Sequence, residues 1–440
     1  MRNHKKISIN KFFSIFLILF SVIFFCYGFI SEENSAGAGG LSGDFSNSWN
    51  NLQTFLNNDL LTAINSTGDN ADGQRKYISS RPPLIWILNK FLNPFTENQF
   101  DWIRSIFFFS LLVPLLFFYC LKIKFKNTDN LKLILLSSTI LLSPYFRTSS
   151  YWGLEENYGI VCILISYIFL HIYYKEKKIS FVKFFKLFGL ALSSSLCVYF
   201  DQKLVIIPLL IFLKILLSNQ KKIFKLILTL FYLILAIPFL YLIVLWKNII
   251  PSGDSLVREI GFKLHFSHIG FSLTIIGFYL IPLFFFKNNG IKNISFSYLK
   301  EKKILKIITF FLIYLCLSFF FDDYQNSKYP LIGKGVIHKL SLILFSDILI
   351  QKIFVYLNFL FFFFITVLFL NKNLFDSLVI IFFLITSIFI YPLLQEYYDP
   401  IVLIIAFTFF STKLNLNYKN IYLLFTYLLV FLIIAKIYYY

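Results

Sequence analysis

Apolar runs of roughly 15–22 residues recur along this chain from Phe12 almost to its last residue, each about as long as a helix must be to cross the hydrocarbon core of a bilayer. Inside a membrane such a run can satisfy its backbone N–H and C=O groups only by bonding to itself as a helix, which removes soluble α/β and open-sheet folds from consideration. The spacing predicts spans near 12–30, 105–121, 131–145, 158–173, 184–200, 204–217, 226–245, 269–286, 306–321, 353–370, 377–392, 400–411 and 421–437. The expected fold is all-α: a polytopic transmembrane helical bundle of about thirteen spans, forming one integral-membrane domain over residues 1–440. A hydrophobic content of 58% with only 14% charged residues agrees with that class.

A formal net charge of +19 would suit a nucleic-acid ligand if it were spread over one face. Instead, Lys and Arg concentrate in the tail before Phe12 and in short loops such as 122–132, 175–186, 221–225 and 287–306. That is the asymmetry of the positive-inside rule, so no nucleic-acid partner is expected and the amino terminus is placed in the cytoplasm. The Lys-, Ile-, Asn- and Phe-rich composition suits an AT-rich genome, and a bacterial plasma (inner) membrane is the expected location. The first apolar run is longer than the core of a signal peptide, so it is expected to be a retained span. The five cysteines all fall inside apolar runs, and only His265 and His268 lie close together among the histidines. No cofactor is identified on these spacings; Asp and Glu side chains could hold Mg²⁺ or Mn²⁺, but no spacing demands a metal.

The polar stretch 31–104 interrupts this pattern and is expected to be a large extracytoplasmic first loop carrying the active site, with 105–440 as the remaining bundle. Ser48 to Ile64 reads as a helix lying at the membrane interface, and Leu84 to Leu92, after Pro82-Pro83, as a second. Asn65 to Gly73 reads as a turn-rich connection. The run Gly37-Ala38-Gly39-Gly40 lacks the preceding strand and third glycine of a nucleotide fingerprint. The loop also holds Gly43-Asp44-Phe45, then Tyr77, then Arg81-Pro82-Pro83-Leu84, and Arg104 opens the next apolar run.

In that order these motifs resemble the GT-C superfamily of integral-membrane glycosyltransferases, in the branch of protein mannosyltransferases and lipid A sugar transferases. The resemblance covers about the first 175 residues by motif and the rest by topology. It implies transfer of a sugar from a polyprenyl-phosphate-linked donor to a lipid, glycan or protein acceptor, by single displacement with inversion, among membrane lipids. It also implies a carboxylate base, for which Asp44 is the first candidate. The family's Asp-Glu pair followed closely by Tyr is here Asp44 followed by Phe45 and Ser46, and a separate pair, Glu32-Glu33, competes for the role.

A general base must reach the acceptor hydroxyl, and a departing phosphate needs cations. Glu155 and Glu156, in the next external loop, are candidates to share the base's work or position the acceptor; alternatively they complement the start of a helix. Arg81, Arg147 and Lys203 are the candidate phosphate ligands, Arg147 because nothing nearby needs a positive charge at that surface. Asp201-Gln202-Lys203 interrupts two spans, where charge is a functional suspicion by default. Pro251 to His268 and Asp322 to Lys339 are further external loops that could close over the donor. Two other classes stay open: an O-antigen polymerase or ligase, and a lipid-linked oligosaccharide flippase or other secondary transporter. Ionisable groups gathered at one external mouth would favour transfer, and a charged path through the midplane would favour transport.

Overall fold

The computed structural model describes residues 2–35, 43–68, 77, 79, 81–176, 180–251, 264–287, 302–321, 333–370 and 373–439. The glycine run 37–40 and most of the loops 251–268 and 322–339 lie outside the described residues. Of the described residues, 79% are helical and none forms a strand. Among the described residues, seven helices are long and apolar enough to cross a membrane: Ile9–Ile30, Gln99–Lys124, Glu156–Lys175, Phe181–Phe200, Lys222–Trp246, Ile348–Leu370 and Tyr418–Tyr439.

Several of the other expected spans are shorter helices. The run 131–145 is a helix Asn130–Ser138, a 3₁₀ turn Thr139–Leu142, and a new helix whose first residue is Pro144, capped by the Ser143 hydroxyl. Proline at that position ends one helix and suits the first turn of the next. The run 204–217 is an 11-residue helix, Ile206–Leu216. At about 1.5 Å of rise per residue, a helix of that length falls well short of the hydrocarbon thickness.

The chain forms two compact units, residues Met1–Gly261 with Phe425–Tyr440, and residues Phe262–Leu424. The first contains α1 (Arg2–Ile30), α2 (Phe45–Asn57), α3 (Leu60–Asn65), α4 (Leu84–Leu92), α5 (Gln99–Ser110), α6 (Leu112–Lys124), α7 (Asn130–Ser138), α8 (Pro144–Tyr151), α9 (Glu156–Lys175), α10 (Phe181–Phe200), α11 (Ile206–Leu216) and α12 (Lys222–Trp246). The expected single helix over 48–64 is two, because the Asp59 carboxylate accepts a 3.0 Å bond from the Thr62 N–H and starts α3 afresh. The helix expected over 84–92 has those bounds.

α2 packs on α4, and Leu52 and Phe55 of the first and Ile85 and Trp86 of the second are buried. α9 and α10 run together over most of their length, with a Ser166–Ser193 hydroxyl bond of 3.2 Å between them. In the second unit, helix His268–Leu280 packs on Ile348–Leu370, with Phe271 edge-on to Phe359 at 4.9 Å. There the Asp376 carboxylate, at the start of helix Leu374–Ser387, accepts the N–H groups of Ser411 and Thr412.

A candidate active site around Arg81

The site is built on four chain segments of the first unit. Arg81 lies just before α4, and its carbonyl accepts a 2.7 Å bond from the Tyr77 hydroxyl, which in turn accepts one of 3.2 Å from the indole N–H of the buried Trp86. So anchored, Arg81 extends its guanidinium toward three carboxylates. Nη1 meets Glu155 Oε1 at 3.0 Å, Nη2 pairs with Glu156, and Nε lies 3.7 Å from Asp201 Oδ2. Lys203 Nζ stands 3.6 Å from the same Asp201 oxygen.

Local backbone geometry explains how each carboxylate arrives. After α8 the chain turns at Gly153, whose φ of +68° favours a residue without a Cβ. The Trp102 ring occupies the space where that Cβ would be, with its nearest atom 2.6 Å away. The turn delivers Glu155 and Glu156 to the head of α9, and the Ser149 hydroxyl donates to Glu156 Oε2 at 3.1 Å. Asp201 ends α10 in an extended conformation and caps the following 3₁₀ turn through the Lys203 N–H at 3.0 Å. Gly153→Ala is therefore expected to cost about 1–2 kcal/mol in backbone conformation alone, plus displacement of Trp102. Thermal unfolding of the purified variant in detergent should show a lower Tm; an unchanged Tm would mean that the turn relaxes freely.

Asp44 directly precedes α2, and its side chain makes no capping bond. Its neighbour Phe45 is fixed by Trp102 and Trp152, at ring distances of 6.3 and 6.0 Å, and Trp49 adds a contact to Trp102 at 5.7 Å. Asp44 is exposed by area yet surrounded closely enough that its charge is poorly hydrated. Desolvation pushes its carboxyl up to about 6; Arg81 and Lys203 pull it down, while Glu156 and Glu155 push it up. Burial likewise raises Glu155 to about 7, against the pull of Arg81 and with the help of Glu156. Four carboxylates face two cations, so the fully ionised cluster carries a net charge of −2, and a retained proton relieves it.

Of the residues singled out from sequence, Asp44, Glu155, Glu156, Arg81 and Lys203 come together here. Arg147 does not, and its candidacy as a phosphate ligand is corrected by its partners. The side chain is fully buried, with Nε and Nη2 on the two Glu33 oxygens at 2.7 and 2.6 Å, Nη1 on the Leu141 carbonyl at 3.0 Å, and Nη2 also on the Phe24 carbonyl at 3.0 Å. Lys436 Nζ adds a 2.9 Å bond to Glu33 Oε2. Glu33 is thereby a structural anchor, and Glu32 is exposed. Arg104 is about half exposed, with its guanidinium over the Phe100 ring. Asp201, read from sequence mainly as part of an interrupted span, is a third arm on Arg81. Among the described residues, no three His, Cys, Asp or Glu side chains are grouped to hold a metal ion.

The first unit also holds an open, largely apolar cavity of about 510 Å³, lined by Leu92, Phe95, Phe108, Tyr158, Cys162 and Phe200 among others. None of the charged side chains lines it, though Tyr158 comes two residues after Glu156 and Phe200 immediately precedes Asp201. Comparison of the chain with family models, curated proteins and solved structures finds no match.

Proposed function

We propose that this chain is a membrane-embedded glycosyltransferase that moves a sugar from a polyprenyl-phosphate carrier to a lipid, glycan or protein acceptor on the extracytoplasmic side. The observation that carries the reading is the cluster itself: Arg81 and Lys203 converge with Glu155, Glu156 and Asp201, and Asp44 lies within electrostatic reach of them. The bland alternative, a solvated loop carboxylate, gives no reason for six charged groups from four segments to converge.

In this mechanism Asp44 accepts the proton of the acceptor hydroxyl as its oxygen attacks the anomeric carbon. The bond from that carbon to the phosphate oxygen breaks, and its electron pair stays on the departing polyprenyl phosphate. Arg81 and Lys203 stabilise that charge, and the anomeric centre inverts. Glu156 and Asp201 hold Arg81 in place. The proton on Asp44 then passes to solvent or to the phosphate, which restores the base. Charged groups gathered at helix ends, Glu33 after α1 and Asp201 after α10, favour this reading over transport, which needs them along the span.

Because the base must be ionised, turnover is expected to fall as pH drops through about 6, where Asp44 takes up a proton. Its folded-state value is raised, so ionisation opposes folding and stability should not fall over the same pH range on this account. Initial rates and Tm measured from pH 5 to 8 separate the two effects. A rate profile flat across pH 6 would contradict Asp44 as the base.

The orientation is part of the proposal: amino terminus and loop 122–132 cytoplasmic, Asn65 outside, in a bacterial plasma membrane. An impermeant thiol reagent applied to intact cells, with the native cysteines replaced, should label Asn65→Cys and spare Asn127→Cys; the reverse pattern would remove the site from its substrates. Mass spectrometry of glycolipids and glycoproteins from cells with and without the gene tests the function. A single missing sugar is expected, and identical glycans would argue for another activity.

A further inference from the structure

We propose that Arg81 is a shared counter-ion: when the donor's phosphodiester takes over its guanidinium, Glu155 loses its partner and picks up a proton, so donor binding is coupled to proton uptake. This inference rests on the function proposed above and adds to it the order and proton stoichiometry of binding.

The argument is one of charge and space. The Arg81 guanidinium is divided between Glu155, Glu156 and Asp201. A phosphate that seats on Nη1 competes there with Glu155 for the same charge-assisted bond. The groups facing the exchange are Asp44 before α2, Glu155 and Glu156 at the head of α9 with the Ser149 hydroxyl behind Glu156, and Asp201 with Lys203 after α10. Bringing a monoanion into an ionised cluster of net charge −2 would make it −3 in a poorly hydrated setting. A proton is the least costly relief.

Glu155 is the group placed to take it. It is almost fully buried. Glu156 keeps its bond from Ser149, and Asp201 keeps Lys203 and its own capping bond. The exchange divides the labour between the carboxylates: Glu155 becomes neutral as the donor arrives, and Asp44, at the exposed edge, stays free to serve as base. When the phosphate leaves, Arg81 returns and Glu155 releases its proton.

Calorimetric titration in buffers of different ionisation enthalpy reads this directly. The protein is the full chain in detergent or nanodiscs, and the probe is farnesyl methyl phosphate. That diester is a monoanion across the working range, so any proton taken up lands on the protein. At pH 7.5 the binding heat should depend on the buffer, corresponding to a substantial fraction of one proton and at most about one. Affinity should fall with rising pH by up to about tenfold per unit. Glu155→Gln keeps an oxygen for Arg81 but cannot ionise, so it should bind the diester with pH-independent affinity and lose the uptake; binding itself reports that the variant is folded. Binding with a buffer-independent heat in the native chain, or uptake unchanged in Glu155→Gln, would overturn the inference and leave the proposed function standing. A folded native chain that does not bind the diester would remove both.

Discussion

Arg147→Met is expected to destabilise the first unit by about 3–5 kcal/mol, the largest single-residue effect on stability predicted for this protein. The substitution removes both guanidinium bonds to Glu33 and leaves that buried carboxylate with Lys436 alone. It also frees the Leu141 and Phe24 carbonyls of their donor. The guanidinium fills its site closely: a Cβ added at Gly28 would lie 2.3 Å from Arg147 Nη2. Glu33→Gln in the same background should recover part of the loss, because it removes the stranded charge; the pair would then show strong non-additivity in thermal unfolding. Equal losses that simply add would mean that the ion pair is not a unit. Burial works against the ionised Glu33, but the bonds and charges of Arg147 and then Lys436 outweigh it and lower its carboxyl value. Its contribution is therefore complete above the ordinary carboxylate range and is lost as pH falls below that range.

The largest effect on activity is expected at Asp44. Asp44→Asn keeps the side chain's size and hydrogen-bonding reach but removes its basicity, so turnover should fall on the order of 10²–10⁴-fold while donor binding survives. Its exposed position and absent capping bond mean that the fold should tolerate the change. Rates compared at equal occupancy of donor separate chemistry from binding. The competing carboxylate, Glu33, needs a different reading: Glu33→Gln would lower activity through lost structure, because Arg147 would lose its counter-ion. A fall in Tm that accompanies any fall in rate identifies that route. Asp44→Asn should lower the rate without lowering Tm, and loss of both together would demote Asp44 to a structural residue.

The comparison between Asp44 and Arg147 shows where sequence was legible and where it was not. The apolar runs revealed a helical membrane protein because hydrocarbon allows little else. Pro82-Pro83 marked the start of α4 because proline fixes the backbone there and cannot continue a preceding helix. Asp44 and Arg81 stood out through the order of motifs that carries the resemblance, Glu155 and Glu156 through their place in the next external loop, and Lys203 because charge is costly between two spans. Partner identity was not legible in the same way. The carboxylates closest to Arg147 in sequence, Glu155 and Glu156, go to Arg81, and its real partner, Glu33, is 114 residues away. Lys436, a further 289 residues beyond Arg147, carries no local signal of its role. The expected continuous helix over 48–64 was overridden by a cap: the apolar periodicity runs through Asn58-Asp59, but the Asp59 carboxylate accepts the Thr62 N–H and starts α3 afresh. Short helices such as α11 read as spans because periodicity reports burial in something apolar and does not say whether that is lipid or protein.

The most direct test of the account is complementation by the single variant Asp44→Asn. Cells lacking the gene would be supplied with either the native chain or Asp44→Asn at matched membrane levels, and their glycolipids, glycoproteins and polyprenyl-phosphate sugars profiled by mass spectrometry. The account predicts that the native chain restores one sugar on one class of acceptor, and that Asp44→Asn leaves it missing while the polyprenyl-phosphate-linked donor accumulates. Full restoration by Asp44→Asn, with no build-up of donor, would contradict it.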